Sequence, residues 1–479
     1  MLQTPSSPDI LRSVEPTLRR APSDAIWYGV SKGVPAAIGI ASVPFFIRFA
    51  GSAAYGYYSA SWATGLVVAN LTSGWLRQSA LRFSGDDEKD LSALHRGAVA
   101  TTLAVTVLVA VPTATLALHG EDPRYIFLVL SIAMAVAITC QQLIVTFLQA
   151  QRRARAVALV EGLRAALSSA FAGALLIATG AGAEALVGGM VLASLIVTAV
   201  GARTLDPGLA TRASQGVTRR WWSFGWPMSL WLTIAAVLQF SDRILIQHLV
   251  GAGSAGTYSA VYDATTRILA VCIFPMTMAS HALVMSHWNE ADGSRARSAN
   301  RRSILIQSAV FLPLLLAAIF LRGPLVRLLI GRADAGAESL VIPLVVGSFL
   351  WQLSLNAHKV LEVNDRTTVM MVNVAACTAL NIVGNLVLLP QYGPAAAAWT
   401  TLGAAFLYLC LTEISALVIL GDSRERWGTG ERLASESQEV RERTKPKQMP
   451  TRNLAGGQPH ARQPVPMRCP DPDGQDSPY

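Results

Sequence analysis

Six ionisable side chains stand in or at the edge of stretches that are otherwise apolar: Lys32, Arg48, Asp242, Arg243, Asp263 and Arg267. An unpaired charge near a bilayer centre costs roughly 3 kcal/mol, so such residues face a bundle interior or a wet cavity. There they either mark the path of a passing solute or pair with one another and merely fix helix packing. Asp263 and Arg267 are spaced i,i+4 and can pair on one helix face. Asp242 and Arg243 are adjacent, so they point about 100° apart and are not expected to pair with each other. Lys32 is placed either to meet a passing solute or to snorkel toward the interface.

Other chemistries find little support. The chain has no Walker-type phosphate loop, no HExxH and no Cys/His spacing for zinc. The run GAGSAG at 251–256 is glycine-rich but falls in a turn between two apolar runs. The acidic cluster Asp86, Asp87, Glu88 and Asp90 shares the composition of a glycosyltransferase metal site but reads as a solvated loop. Cys140, Cys272, Cys377 and Cys410 lie inside apolar runs and Cys469 in a polar tail, which defines no disulfide framework. No metal or cofactor is expected, and the chain does not read as an enzyme.

The elements that must position the six charges are set by hydropathy. A chain of 479 residues that is 52% hydrophobic and 14% charged, with a mean hydropathy of +0.41, is too apolar for a soluble protein of this length. It reads as an all-α polytopic membrane protein. Twelve apolar runs, each of about 20 residues or more, are long enough to span the hydrocarbon layer. The second covers roughly 58–78, the third 97–118 and the last 394–420.

The net charge of +9 would suggest nucleic acid in a soluble chain. Here it collects in alternate loops: Arg152, Arg153 and Arg155 after the fourth run and Arg295, Arg297, Arg301 and Arg302 after the eighth, with few basic residues in the loops between. Basic residues accumulate in cytoplasmic loops, which predicts both termini inside and no nucleic-acid partner. Trp27, Tyr28, Trp221, Trp222 and Trp226 open spans as interface anchors. The longest outside loop, 323–338, is expected to hold a small surface helix from Leu325 to Ile330.

A repeat divides the chain. GSAAYGYYSASW begins at Gly51 and GAGSAGTYSAVY at Gly251, and at this offset Gly51, Gly56, Tyr58, Ser59 and Ala60 recur as Gly251, Gly256, Tyr258, Ser259 and Ala260. Both copies sit between the first and second spans of their half, as in duplicated transporters. The expected domains are a cytoplasmic segment 1–25, a six-helix bundle 26–203, a cytoplasmic linker 204–220, a second six-helix bundle 221–420 and a disordered tail 421–479. Prolines inside spans, among them Pro35, Pro44, Pro112, Pro227, Pro275, Pro313 and Pro343, predict bent helices.

The turns GSAAYGYYS and SDRILIQHLVGAGSAGTYSAVYDA, with LNIVGNLVLLPQYGPAAAAWTTL from Leu380 to Leu402, resemble the polysaccharide-biosynthesis branch of the multidrug/oligosaccharidyl-lipid/polysaccharide exporter superfamily, home of the Wzx-type flippases. One departure is Pro394 with Ala395 where that family usually brings another glycine. The resemblance implies two pseudo-symmetric six-helix bundles in a V around a cationic cavity, alternating access without ATP hydrolysis, and location in the bacterial cytoplasmic membrane. The implied substrate is a polyprenyl-diphosphate-linked oligosaccharide, with membrane lipids and other polysaccharide-assembly membrane proteins as partners.

On that reading Lys32, Arg48, Arg243 and Arg267 supply the cations along the diphosphate's path, since arginine suits phosphate oxygens. A proton or sodium gradient acting through Asp242 or Asp263, or the membrane potential, would drive transport. Small residues such as Ala36, Ala37, Gly39, Ala397 and Ala398 allow close helix approach. Two alternatives stand beside it. A multidrug or cation antiporter of the same superfamily would carry a carboxylate within its first span, whereas Asp24 here precedes it. A polysaccharide polymerase would display a sizeable outside loop.

Overall fold

The computed structural model describes residues 7–83, 123–204, 215–289, 293–364 and 366–443. The third expected span, 97–118 with Pro112, the acidic cluster 86–90, most of the linker and Cys469 fall outside these residues. The described residues form helices α1 Ser7–Ala50, α2 Ser52–Phe83, α3 Pro123–Ala150, α4 Ala154–Thr179, α5 Ala183–Thr204, α6 Gln215–Leu249, α7 Ala252–Asn289, α8 Gly293–Ile330, α9 Ala335–Val363, α10 Thr367–Tyr392 and α11 Pro394–Arg443. Ten are long and apolar enough to cross a membrane. The protein is therefore an all-helical, multi-pass membrane protein.

The helix missing from that ten is α2, and its place explains its composition. It packs along α3, α6 and α7 and buries Ser59, Ser61, Asn70, Ser73 and Ser79. A helix shielded from lipid by its neighbours does not need an apolar surface all round. By contrast α8, with Phe320 and Leu321 exposed, presents the apolar side chains that a lipid-facing helix requires.

Helix pairing repeats between the halves. The pairs α1·α4, α2·α3 and α1·α2 of the first half recur as α6·α10, α7·α9 and α6·α7 in the second, and across the middle α2·α6 is matched by α1·α7. The pair α2·α7 maps onto itself, so a pseudo-two-fold axis runs between these two helices. Both turns of the repeat close through a glycine with positive φ, Gly51 at 87° and Gly251 at 123°, a conformation that costs a Cβ-bearing residue. Gly56 and Gly256 then meet where α2 crosses α7.

Several local expectations change. The segment 325–330 is helical but not separate: α8 continues through Pro324 to Ile330, and Val326 and Leu329 are buried in the main core, which holds this end against the bundle. Trp221 is no interface anchor, being buried against Leu76, Leu143 and Phe147. Trp222 and Trp226 are half-exposed and stack on each other at 5.3 Å. Helices α6, α7, α8 and α9 continue through the prolines at which bends are expected. Pro394 starts α11 directly after Gly393, whose φ is 63°; proline suits the first turn, where its missing N–H has no partner to lose.

Residues 1–420 form one compact unit and 421–479 another. Of the second, residues 421–443 are helical. This stretch is rich in Arg and Glu, both good helix formers.

Candidate functional site

Adjacent placement on α6 sends Asp242 and Arg243 to different surroundings. Arg243 donates from Nη2 to Asp263 Oδ1 on α7 at 2.6 Å and from Nη1 to Ser59 Oγ on α2 at 2.7 Å. Tyr55, one turn before Ser59, donates to the other oxygen of Asp263 at 2.6 Å. Three aromatic rings surround the guanidinium, Tyr262 at 5.0 Å, Phe240 at 5.2 Å and Trp62 at 5.9 Å, each offering a π face to the cation. Arg243 is only 3% exposed. The group is a buried ion pair braced by hydroxyls, and it ties the two halves together.

Arg267 sits differently. It approaches Asp263 Oδ2 at 3.9 Å, the expected i,i+4 contact, and keeps 31% of its side chain exposed. Its guanidinium lies against Gly39 of α1, where a Cβ would overlap it, so that glycine serves as a seat for the arginine. Arg164 of α4 joins Arg243, Asp263 and Arg267 in lining a central cavity of about 360 Å³. The cavity also exposes Tyr58, Ser168, Gln239 and Trp351. Three guanidinium groups against one carboxylate make it cationic.

Asp242 does not line this cavity and is fully buried. Its carboxylate accepts from Tyr258 and Thr401 hydroxyls, each at 2.6 Å, and from Asn385 Nδ2 at 3.4 Å. Asn385 also bonds Asn381 and Thr400. All these partners are neutral, and Asp242 takes part in none of the ion pairs among the described residues.

The remaining candidates are elsewhere. Lys32 lies 3.6 Å from Glu161 in a side chamber and does not line the central cavity. Arg48 is exposed and donates to the Leu328 carbonyl of α8 at 3.2 Å, lining neither cavity. The structure thus brings Arg243, Asp263 and Arg267 together and leaves Lys32, Arg48 and Asp242 apart.

Three charged residues enter that the sequence reading had not placed at the site. Glu161 and Arg164, paired at 3.3 Å, carry a readable signal in their i,i+3 spacing within the fifth apolar run. Arg77 falls at the end of the second expected run, but α2 continues to Phe83, and Arg77 reaches Gln142, Asn70 and Thr146 inside the bundle. Tyr55 and Ser59 carried no such signal, because their role depends on a helix from the other half.

Comparison with known proteins places this arrangement. A family described as polysaccharide biosynthesis protein matches residues 23–281, and one described as MatE matches residues 227–387. Among curated proteins no sequence match was found. The lipid II flippase MurJ in an inward closed conformation is similar with a TM-score of 0.65 at 13% identity, over 81% of this chain and 87% of that one. An inward-facing multidrug resistance MATE family transporter of the MOP superfamily is similar with a TM-score of 0.59 at 11% identity, over 84% and 96%. A MOP superfamily transporter from Pyrococcus furiosus, described by a reversed polarity of its binding pocket, gives 0.56 at 11% identity, over 82% and 95%. At these identities the likeness is one of fold.

Proposed function

The chain belongs to the polysaccharide biosynthesis protein family, and from the cavity it encloses we propose that it is a flippase, moving a polyprenyl-diphosphate-linked oligosaccharide across the bacterial cytoplasmic membrane by alternating access. The observation that carries this reading is Arg267, a guanidinium seated on Gly39 and held by only a 3.9 Å contact, facing a cavity shared with Arg164 and Arg243. A diphosphate has oxygens for a bidentate arginine, and its charge is offset by cations in a space where water is scarce. Arg243 is already committed to Asp263 and Ser59 and Arg164 is paired with Glu161, so both shape the potential while Arg267 makes contact.

With both termini inside, the α1–α2 and α6–α7 turns face outward. The bonds Tyr55–Asp263 and Arg243–Ser59 and the Gly56–Gly256 crossing then close the outward side. A diphosphate that draws Arg267 away weakens the charge balance of Asp263, which is shared between the halves. An interior-negative potential favours outward movement of an anion by about 2.3 kcal/mol per charge per 100 mV. Asp242, buried among hydroxyls and amides, is the candidate to take a proton or sodium ion as the coupling step.

The match of residues 227–387 to the MatE description supports a second reading, a multidrug or cation antiporter. A cavity with three arginines and one carboxylate repels a cationic drug, which favours the first. The test is Arg267→Ala in a host whose own copy is deleted. Surface glycan should disappear while the protein still inserts, and Arg267→Lys should restore part of it, since lysine keeps the charge but lacks the fork. Normal glycan from Arg267→Ala at normal expression would refute the reading.

A further inference from the structure

Beside the central cavity, within the first half, lies a second chamber of about 290 Å³ bounded by α1, α2, α3, α4 and α5. Pro35, Trp62, Arg164 and Met190 line both spaces, so the two adjoin across these side chains. The chamber holds three cations, Lys32, Arg77 and Arg164, and one carboxylate, Glu161. Glu161 is already shared by Lys32 at 3.6 Å and Arg164 at 3.3 Å. Arg77 belongs to no ion pair among the described residues. Its partners are neutral oxygens: Gln142 Oε1, Asn70 Oδ1 at 3.1 Å and Thr146 Oγ1 at 3.4 Å.

A partly buried guanidinium held by neutral acceptors leaves a charge that an anion would neutralise. The rest of the wall says which anion. Gln141, Gln142 and Gln149 of α3 line the space, and an amide both donates and accepts, which matches hydroxyl groups that do the same. A bare phosphate offers acceptors and would leave the amide oxygens without donors. The volume, at the lower end of the usual range of about 300–1,000 Å³ for ligand sites, suits a single ring.

We propose that this chamber seats one acidic sugar of the lipid-linked glycan, a pyranose bearing a carboxylate. Arg77 and Lys32 meet the carboxylate, and the three glutamine amides meet the ring hydroxyls. The inference rests on the reading of the central cavity as the diphosphate site, and it narrows the substrate class to glycans with a carboxylated sugar near the diphosphate.

The test uses the full chain in phosphatidylcholine nanodiscs, with binding of glucuronate, glucose and inorganic diphosphate each followed by NMR saturation transfer. Glucuronate should bind at least tenfold more tightly than glucose. Arg77→Gln and Lys32→Gln should each weaken glucuronate at least tenfold and change diphosphate less than twofold, and Arg267→Gln should do the opposite. Lys32 is 46% exposed, so its variant stays informative if Arg77→Gln fails to fold. Equal binding of glucose and glucuronate, or parallel loss of glucuronate and diphosphate in Arg77→Gln, would overturn the proposal. So would displacement of glucuronate by phosphatidylglycerol added to the disc, which would assign the chamber to a lipid head group. Failure of diphosphate to bind, with glucuronate still dependent on Arg77, would instead refute the central-cavity reading.

Discussion

Gly56 and Gly256 occupy reciprocal positions at the crossing of α2 and α7: a Cβ on Gly56 would strike the carbonyl oxygen of Ala252, and a Cβ on Gly256 would strike that of Ser52. The obstructing residues are themselves offset by the same interval as the glycines. The contact is thus the pseudo-two-fold axis expressed in atoms, and it lets two backbones touch where any side chain would hold them apart.

Substitution there should open the closed side. Gly256→Ala is expected to cost about 1–3 kcal/mol, as overpacking does, because the atom in the way is backbone and cannot rotate aside. Thermal unfolding of the purified chain would register the loss. A cysteine placed at Ser59 should label faster from outside in the Gly256→Ala background than alone; unchanged labelling would mean that the crossing does not control access.

Arg243 and Arg267 should separate stability from transport. Removing Arg243 leaves Asp263 with Tyr55 and a distant Arg267, and breaking a buried pair costs about 3–5 kcal/mol. Arg243→Ala should therefore unfold several degrees lower, with reduced expression. Arg267→Ala should keep its unfolding temperature close to wild type and lose glycan export. If both variants behave alike in the two assays, the division of roles between a brace and a ligand is wrong.

Asp242→Asn should keep the fold, since an amide oxygen in the place of Oδ2 still accepts from Tyr258 and Thr401 and only the long bond from Asn385 is given up. It should abolish any dependence of transport on an ion gradient. Export in membrane vesicles, measured with a protonophore and with a sodium ionophore, would show it. Wild-type export that ignores both ionophores would exclude the ion gradients and the membrane potential alike and remove Asp242 from coupling.

Residues 421–479 should be dispensable for insertion and export. They form a unit of their own. A chain ending at Gly421 is expected to reach the membrane and support surface glycan at wild-type levels, scored by immunoblot and glycan staining; loss of either would give the tail a function.

Hydropathy and length alone determined the membrane class and the apolar runs, because crossing hydrocarbon imposes about 20 apolar residues on any helix, whatever its neighbours. The glycine repeat was legible for a similar reason: a positive φ and a backbone crossing both exclude Cβ and so mark the residue type itself. Partners were not legible. Spacing along α7 correctly joined Asp263 to Arg267, yet the shorter bond runs to Arg243, and its braces come from Tyr55 and Ser59 in the other half. Likewise Arg77, at the end of the second apolar run, shows no partner until α3 supplies Gln142 and Thr146. A charge in an apolar run announces only that something must compensate it. Which group does so depends on helices that lie far off in sequence and side by side in space, and only the tertiary structure decides that.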